Sequence, residues 1–270
     1  MIPYFELPPI QLGPIEIHAF GILTALGIYV GARLAARAAR LYHPGDDRPL
    51  VEAAPWMLLA GLLGGHLVHL FAYHPEILER EGFGAVLRIW DGLSSMGGVL
   101  GGVIALNVVF RLRGWPVRPY LDAIALGAAP GWAIARLGCF TAHDHPGVRT
   151  DFPLAVAFPD GPRHDLGLYD AILLGALAAV LYLLARRRRP EGLLMGVLAI
   201  GYSVPRFFLD FLRARDLPFV DGRILGLTPA QYLVVVWTAL GIWLLATALR
   251  RPEPAPSGEG DSAEQVAPTP

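Results

Sequence analysis

Seven long apolar runs constrain this chain more than any other feature. They fall near residues 17–36, 51–73, 93–110, 119–140, 168–185, 193–212 and 227–249, with charged or proline-containing segments between them. A helix rises about 1.5 Å per residue, so each run can cross the roughly 30 Å hydrocarbon layer of a bilayer. Composition agrees: 17% of the residues are charged, against about 25% in soluble domains, and the mean hydropathy is +0.47. The chain therefore reads as an all-α polytopic membrane protein of about seven transmembrane helices. Residues 1–250 form a single integral domain. Residues 251–270, rich in Pro, Ser, Glu and Ala without apolar periodicity, read as a disordered cytoplasmic tail.

Several function classes are excluded at this level. A net charge of -1 leaves no basic excess for nucleic acid. The single cysteine, Cys139, rules out an intrachain disulfide framework and a multi-cysteine metal site. The N-terminal stretch MIPYFELPPIQLGPIEIHAFG has no basic region, so it does not read as a cleaved signal peptide.

The arginines set orientation. Arg33, Arg37 and Arg40 close the first run, Arg111, Arg113 and Arg118 follow the third, Arg186 to Arg189 the fifth, and Arg250 and Arg251 the last. Alternating spans put all of these on one side, while the other side mixes its arginines with acids. The positive-inside rule then predicts an N-terminus outside and a C-terminus in the cytoplasm.

Two arginines break the apolar pattern. Counted from Pro119, Arg136 lies about 25 Å along the outward-running fourth span, and Arg206 about 20 Å along the sixth. The inward-running first span begins near His18, and the third near Ser94–Ser95–Met96. Four segments thus place unusual residues at one level, under the loop from Thr141 to Gly147. An arginine at membrane depth costs about 2.5–3.5 kcal/mol on insertion scales and normally faces the bundle interior with a partner. Arg206 has Asp210 one turn on as a structural partner, for which Arg213 competes. Arg136 has no carboxylate within a turn in either direction, so its counter-charge must come from elsewhere. A lipid phosphate suits a guanidinium, which binds it through two parallel charge-assisted bonds.

The run GWAIARLGCFTAHDHPG, followed by PLAVAFPDGPRHDLGLYDAIL, resembles the bacterial prolipoprotein diacylglyceryl transferases. Their signature is Gly-Arg-x-x-Asn-Phe, then an acidic residue and a glycine, then Pro-x-x-x-x-Phe-Pro and His-Pro-x-x-x-Tyr-Glu. IHAFGI, WDGLSSMGGVLGG, EGLLMGVLAIGYSVPRFFLDFLRARD and LTPAQYL match further family segments, so the resemblance extends over most of residues 15 to 249. It implies transfer of the diacylglyceryl group of phosphatidylglycerol to the lipobox cysteine of a lipoprotein precursor, entering through its signal peptide. Both substrates would arrive laterally from membrane lipid, with no metal or organic cofactor. On the matching positions Arg136 would hold the lipid phosphate, with Arg206 as the second arginine and Asp210 in place of the family glutamate. Asp144 stands at the acidic position, Gly147 is the signature glycine, and Tyr169 and Asp170 match the Tyr-Glu pair. His164 matches the histidine of that last motif approximately.

There are departures. Cys139 replaces the signature asparagine, Met96 a histidine proposed as base, Phe20 a tyrosine and His66 an arginine. The anion-binding groups are kept while proton-handling positions change. The acceptor thiol must ionise, and histidine titrates near working pH. His143 or His145, oriented by Asp144 or Asp165, is therefore the expected base. The competing readings of this loop are an interfacial segment that caps helix ends, or a metal site, for which its spacing is slight support. Cys139 reads as a small apolar residue or as a transient carrier of the diacylglyceryl group. For the whole chain, the alternatives are a phospholipid-dependent transferase with another acceptor and a non-catalytic phospholipid-binding protein.

Overall fold

A computed structural model of the chain describes residues 1–13, 15–41, 44–89, 92–217 and 222–250. The tail expected over 251–270 lies outside the described residues. Eight α-helices carry the fold: α1 (Ala19–Leu41), α2 (Arg48–Val68), α3 (Pro75–Glu81), α4 (Ser95–Arg113), α5 (Arg118–Ala142), α6 (Leu166–Leu184), α7 (Leu193–Leu209) and α8 (Pro229–Leu249). A π-helical turn, His69–Tyr73, extends α2, and a 3-10 turn, Asp210–Leu212, extends α7. Seven of these helices are long and apolar enough to cross a membrane, and they coincide with the seven apolar runs to within a few residues. The eighth, α3, is a short amphiphilic helix between α2 and α4.

Local chemistry explains where the spans begin. The Ser94 hydroxyl accepts from Gly97 N–H to cap α4, and the Asp165 carboxylate accepts from Leu168 N–H to cap α6. Thr228 and Gln231 form a reciprocal capping box at the start of α8. All three caps sit at one end of the bundle, where α5 and α7 finish.

The helices pair through glycine faces. In α1, Gly27 and Gly31 lie against Gly127 and Gly131 of α5, and α2 packs on α4 through Gly61, Gly64, Gly97 and Gly101. A Cβ added at Gly64 would lie 2.6 Å from the Gly97 carbonyl oxygen, so the backbones touch directly. This is the close approach that small residues permit where lipid offers no hydrophobic drive to associate. A buried cluster including Phe110, Leu126, Leu174, Leu181 and Leu198 fills the space between α4, α5, α6 and α7.

Beyond the helices the structure adds six short strands. β1 (Ile2–Pro3) pairs in parallel with β5 (Val156–Phe158), which continues antiparallel through β6 (Gly161–Asp165) to β4 (Pro146–Arg149). β2 (Ile10–Leu12) and β3 (Ile15–Ile17) form a separate hairpin. Strands of two to five residues are too short for a periodicity to register in sequence. They pack the α5–α6 connection and the N-terminal segment into a cap over the end of the bundle that carries the two buried arginines.

Candidate active site

Arg136 and Arg206, brought in by α5 and α7, meet at one carboxylate. Asp170, on the second turn of α6, places Oδ2 3.3 Å from Arg136 Nε and 3.6 Å from Arg206 Nε. None of the three reaches solvent appreciably: relative exposures are 2%, 3% and 0%. The counter-charge of Arg136, expected from a lipid, is thus supplied within the protein by Asp170. No local spacing on α5 could show this, because the partner is contributed by the next helix. Arg136 Nη2 also donates to Ser95 Oγ at 3.3 Å, and Nη1 faces Cys139 Sγ at 3.7 Å. Residues at the start of α4 and the end of α5 therefore share one level, as the span arithmetic predicts.

Asp210 organises the other side. Arg206 Nη2 lies 2.9 Å from Asp210 Oδ1, the same oxygen is 3.1 Å from Arg213 Nε, and Thr228 Oγ1 donates to Oδ2. The expected pairing of Arg206 with Asp210, shared by Arg213, is present. Three guanidiniums (Arg136, Arg206, Arg213) face two carboxylates (Asp170, Asp210), which leaves a formal charge of 3 − 2 = +1. Arg206 Nη1 is buried with no hydrogen-bond partner. Burying an ion costs several kcal/mol unless it is paired and hydrogen-bonded, so the cluster holds surplus positive charge together with an idle donor.

Tyr202 and Trp132 wall this cluster. Their ring centroids are 4.5 Å apart, and the Arg136 guanidinium carbon lies 5.9 Å from the Trp132 centroid. Both residues escaped the sequence reading, because an aromatic inside an apolar run is ordinarily packing; the Ser94–Ser95 segment did not. Asp170 did carry a signal. It stands one turn inside the first end of its span, at the depth assigned to the arginines.

Gly147 acquires a physical reason. A Cβ there would lie 2.7 Å from both His164 Cβ and the Leu212 carbonyl oxygen. Its absence lets β4 run between β6 and the segment after α7, where Ala214 N–H donates to the Pro146 carbonyl at 3.2 Å. Arg163 fastens the same junction, donating to Asp160, to Asp216 and to the Gly147 carbonyl. That pairing holds the Asp216 carboxyl down to about 2. The backbone carrying Arg213 is thereby docked against the cap.

The loop histidines divide. His143 Nδ1 lies 2.8 Å from Asp165 Oδ2, and Nε2 lies 3.1 Å from the Phe5 carbonyl oxygen. Both partners are acceptors, and the ring is packed among Tyr4, Phe5, Phe140 and Phe158. Both ring nitrogens are engaged, so His143 joins the N-terminal segment to the α5–α6 connection and has no nitrogen open to a thiol. Asp165 serves that junction and the cap of α6, and burial pushes its carboxyl above the ordinary range. His145 is different: Nδ1 sits 3.0 Å from Asp144 Oδ1, and both side chains are partly exposed. His164 Nδ1 accepts from the Tyr169 hydroxyl at 2.8 Å, on the far side of β6, and burial lowers its pKa.

Met96 is buried against Ala230 and Val234, and the His66 ring bonds the carbonyls of Ala85 and Gly92. Both are structural. Asp144, Glu16, His18, Phe20 and Ala142 line an open cavity of about 430 Å³ beside the cap. Neither Arg136 nor Arg206 lines this cavity, and both side chains are buried.

Residues 9–247 match the family model of the prolipoprotein diacylglyceryl transferases. The chain is 32% identical to the phosphatidylglycerol–prolipoprotein diacylglyceryl transferase of Rhizobium leguminosarum bv. trifolii (strain WSM2304), over 93% of this chain and 95% of the relative. It is likewise 32% identical to the protein of that name in Azotobacter vinelandii, over 93% and 98%. With the one in Nitratidesulfovibrio vulgaris it shares 30%, over 91% and 95%.

Proposed function

The chain belongs to the prolipoprotein diacylglyceryl transferase family, and on that premise we propose that it transfers diacylglyceryl from phosphatidylglycerol to the lipobox cysteine of a lipoprotein precursor. The observation that carries the reading is the meeting of Arg136 and Arg206 on Asp170 with one positive charge in surplus and an idle Arg206 Nη1. A phosphodiester supplies one negative charge and oxygens spaced for guanidinium forks. Ser95 and Tyr202 offer hydroxyls beside the same group.

The reaction forms one C–S bond and breaks one C–O bond. The acceptor thiol, mostly protonated at neutral pH, gives its proton to His145, which Asp144 orients. The thiolate attacks the glycerol carbon that bears the phosphate. The bonding pair leaves with the phosphate oxygen, and glycerol phosphate departs. Charge that grows on the leaving oxygen is met by fixed guanidiniums in a low-dielectric site, where such stabilisation is strongest. Because both guanidiniums are buried, a gap between helices at the outer end must open to admit the lipid. On this reading the lipid comes from the outer leaflet of the inner membrane, with the N-terminus periplasmic.

Purified protein in vesicles containing labelled phosphatidylglycerol, given a lipobox peptide, tests the reading. Thioether-linked diacylglyceryl peptide, lost when the peptide cysteine is serine, is the expected product. A labelled product on another acceptor, or lipid binding without turnover, would overturn it. Rescue of a strain depleted of its own transferase provides the same test in cells.

A further inference from the structure

We propose that Cys139, Asp144 and His145 form a binding site for a divalent cation of the zinc class. α5 ends at Ala142, and His143 takes the left-handed conformation (φ 48, ψ 36) that turns the chain back over the helix. The return sets Asp144 and His145 above the last turn of α5, where Cys139 sits. One ligand atom from each of the three lies within 4.8 Å of the others. Thiolate, imidazole and carboxylate are the donors zinc accepts, and tetrahedral bonds of about 2.0–2.3 Å would bring these atoms to roughly 3.3–3.6 Å from one another. Closing that last ångström requires movement of two partly exposed side chains on a loop, 22% and 38% exposed, and none of the helices.

One feature besides the cluster itself points to a ligand here. His145 Nδ1 is buried without a hydrogen-bond partner, although Asp144 is 3.0 Å away. Arg136 Nη1 lies 3.7 Å from Cys139 Sγ and fixes the sulfur at the end of α5. Thiolate and carboxylate together offset the two charges of the cation. An approach exists through the open cavity, whose wall includes Asp144, with Glu16 and His18 on the same wall. The site depends on Cys139 standing where the family signature has asparagine, so it belongs to this chain's departures from the pattern.

Occupancy would take the His145 lone pair and hold the sulfur against Arg136. The cation should therefore inhibit transfer, a consequence that rests on the function proposed above, whereas binding itself does not.

Chelator-stripped, detergent-solubilised full-length protein is titrated with Co²⁺ as a spectroscopic stand-in and with Zn²⁺ in competition. The expected result is one equivalent bound, with tetrahedral visible bands and a thiolate-to-cobalt charge-transfer band. Cys139→Ser should abolish the charge-transfer band. Asp144→Asn and His145→Gln should each weaken binding by more than about tenfold, since even partners outside the coordination sphere are felt on that scale. No binding, binding without the thiolate band, or equal affinity in all three variants overturns the site. If the cation binds as described and transfer is unaffected, the site stands and the role of His145 as base falls.

Discussion

Asp170 Oδ2 and Arg136 Nε are 3.3 Å apart across the α5–α6 interface, and the same oxygen reaches toward Arg206 at 3.6 Å. A single carboxylate thus sets the spacing of two guanidiniums that would otherwise repel. Asp170→Asn should lower thermal stability by about 3–5 kcal/mol, the cost of stranding a buried partner charge, and should abolish transfer. Asp170→Glu, which keeps the charge, should retain measurable product. Melting curves and thioether assays on both variants decide the point. An asparagine variant as stable and active as wild type would remove Asp170 from the site.

Arg136 binds through its shape as well as its charge. Its guanidinium faces Asp170, Ser95 and Cys139 with three different nitrogens. Lysine offers one point charge and cannot reproduce that fork. Arg136→Lys should therefore reduce transfer by about 10- to 100-fold, the equivalent of one charge-assisted hydrogen bond, with the fold intact by circular dichroism.

The two loop histidines should separate in experiment. His143→Ala removes a ring bonded to Asp165 and Phe5 and packed among four aromatics, so its main effect should be a loss of stability of about 2–4 kcal/mol. His145→Gln should leave the melting temperature nearly unchanged and remove transfer. Loss of activity without loss of stability at His143 would return the base to that residue.

Protonation of His164 should weaken the corner between β6 and α6. Burial lowers its pKa below the ordinary value of 6.5, so the unfolded state takes up the proton first. Stability is full above pH 6.5 and is lost as pH falls below it. His164→Gln should flatten that part of the stability–pH curve, measured as the difference between variant and wild type from pH 7.5 to 5.

The glycine seam between α2 and α4 should tolerate no side chain. Gly64→Val would drive a branched Cβ toward the Gly97 carbonyl, 2.6 Å from where a Cβ would sit. The expected outcome is a marked fall in melting temperature and in membrane-inserted protein, with Gly175→Val, which meets nothing within 4 Å, as the neutral control.

Much of the protein was readable from residue order alone. Seven apolar runs matching the bilayer thickness specified the spans to within a few residues, because hydrocarbon restricts a chain of that length so strongly. Depth counting put Arg136, Arg206 and the Ser94–Ser95 segment at one level, because helical rise is a constant. These are properties of one segment at a time. What the tertiary structure alone decided are relations between segments: that Asp170 of α6 answers Arg136 of α5, that a strand cap folds over the end of the bundle, and that His143 is used up by the Phe5 carbonyl far away in sequence. A hydrogen bond or ion pair is settled by which atoms arrive within about 3 Å of one another, and for groups on different helices that distance is fixed only when the bundle closes.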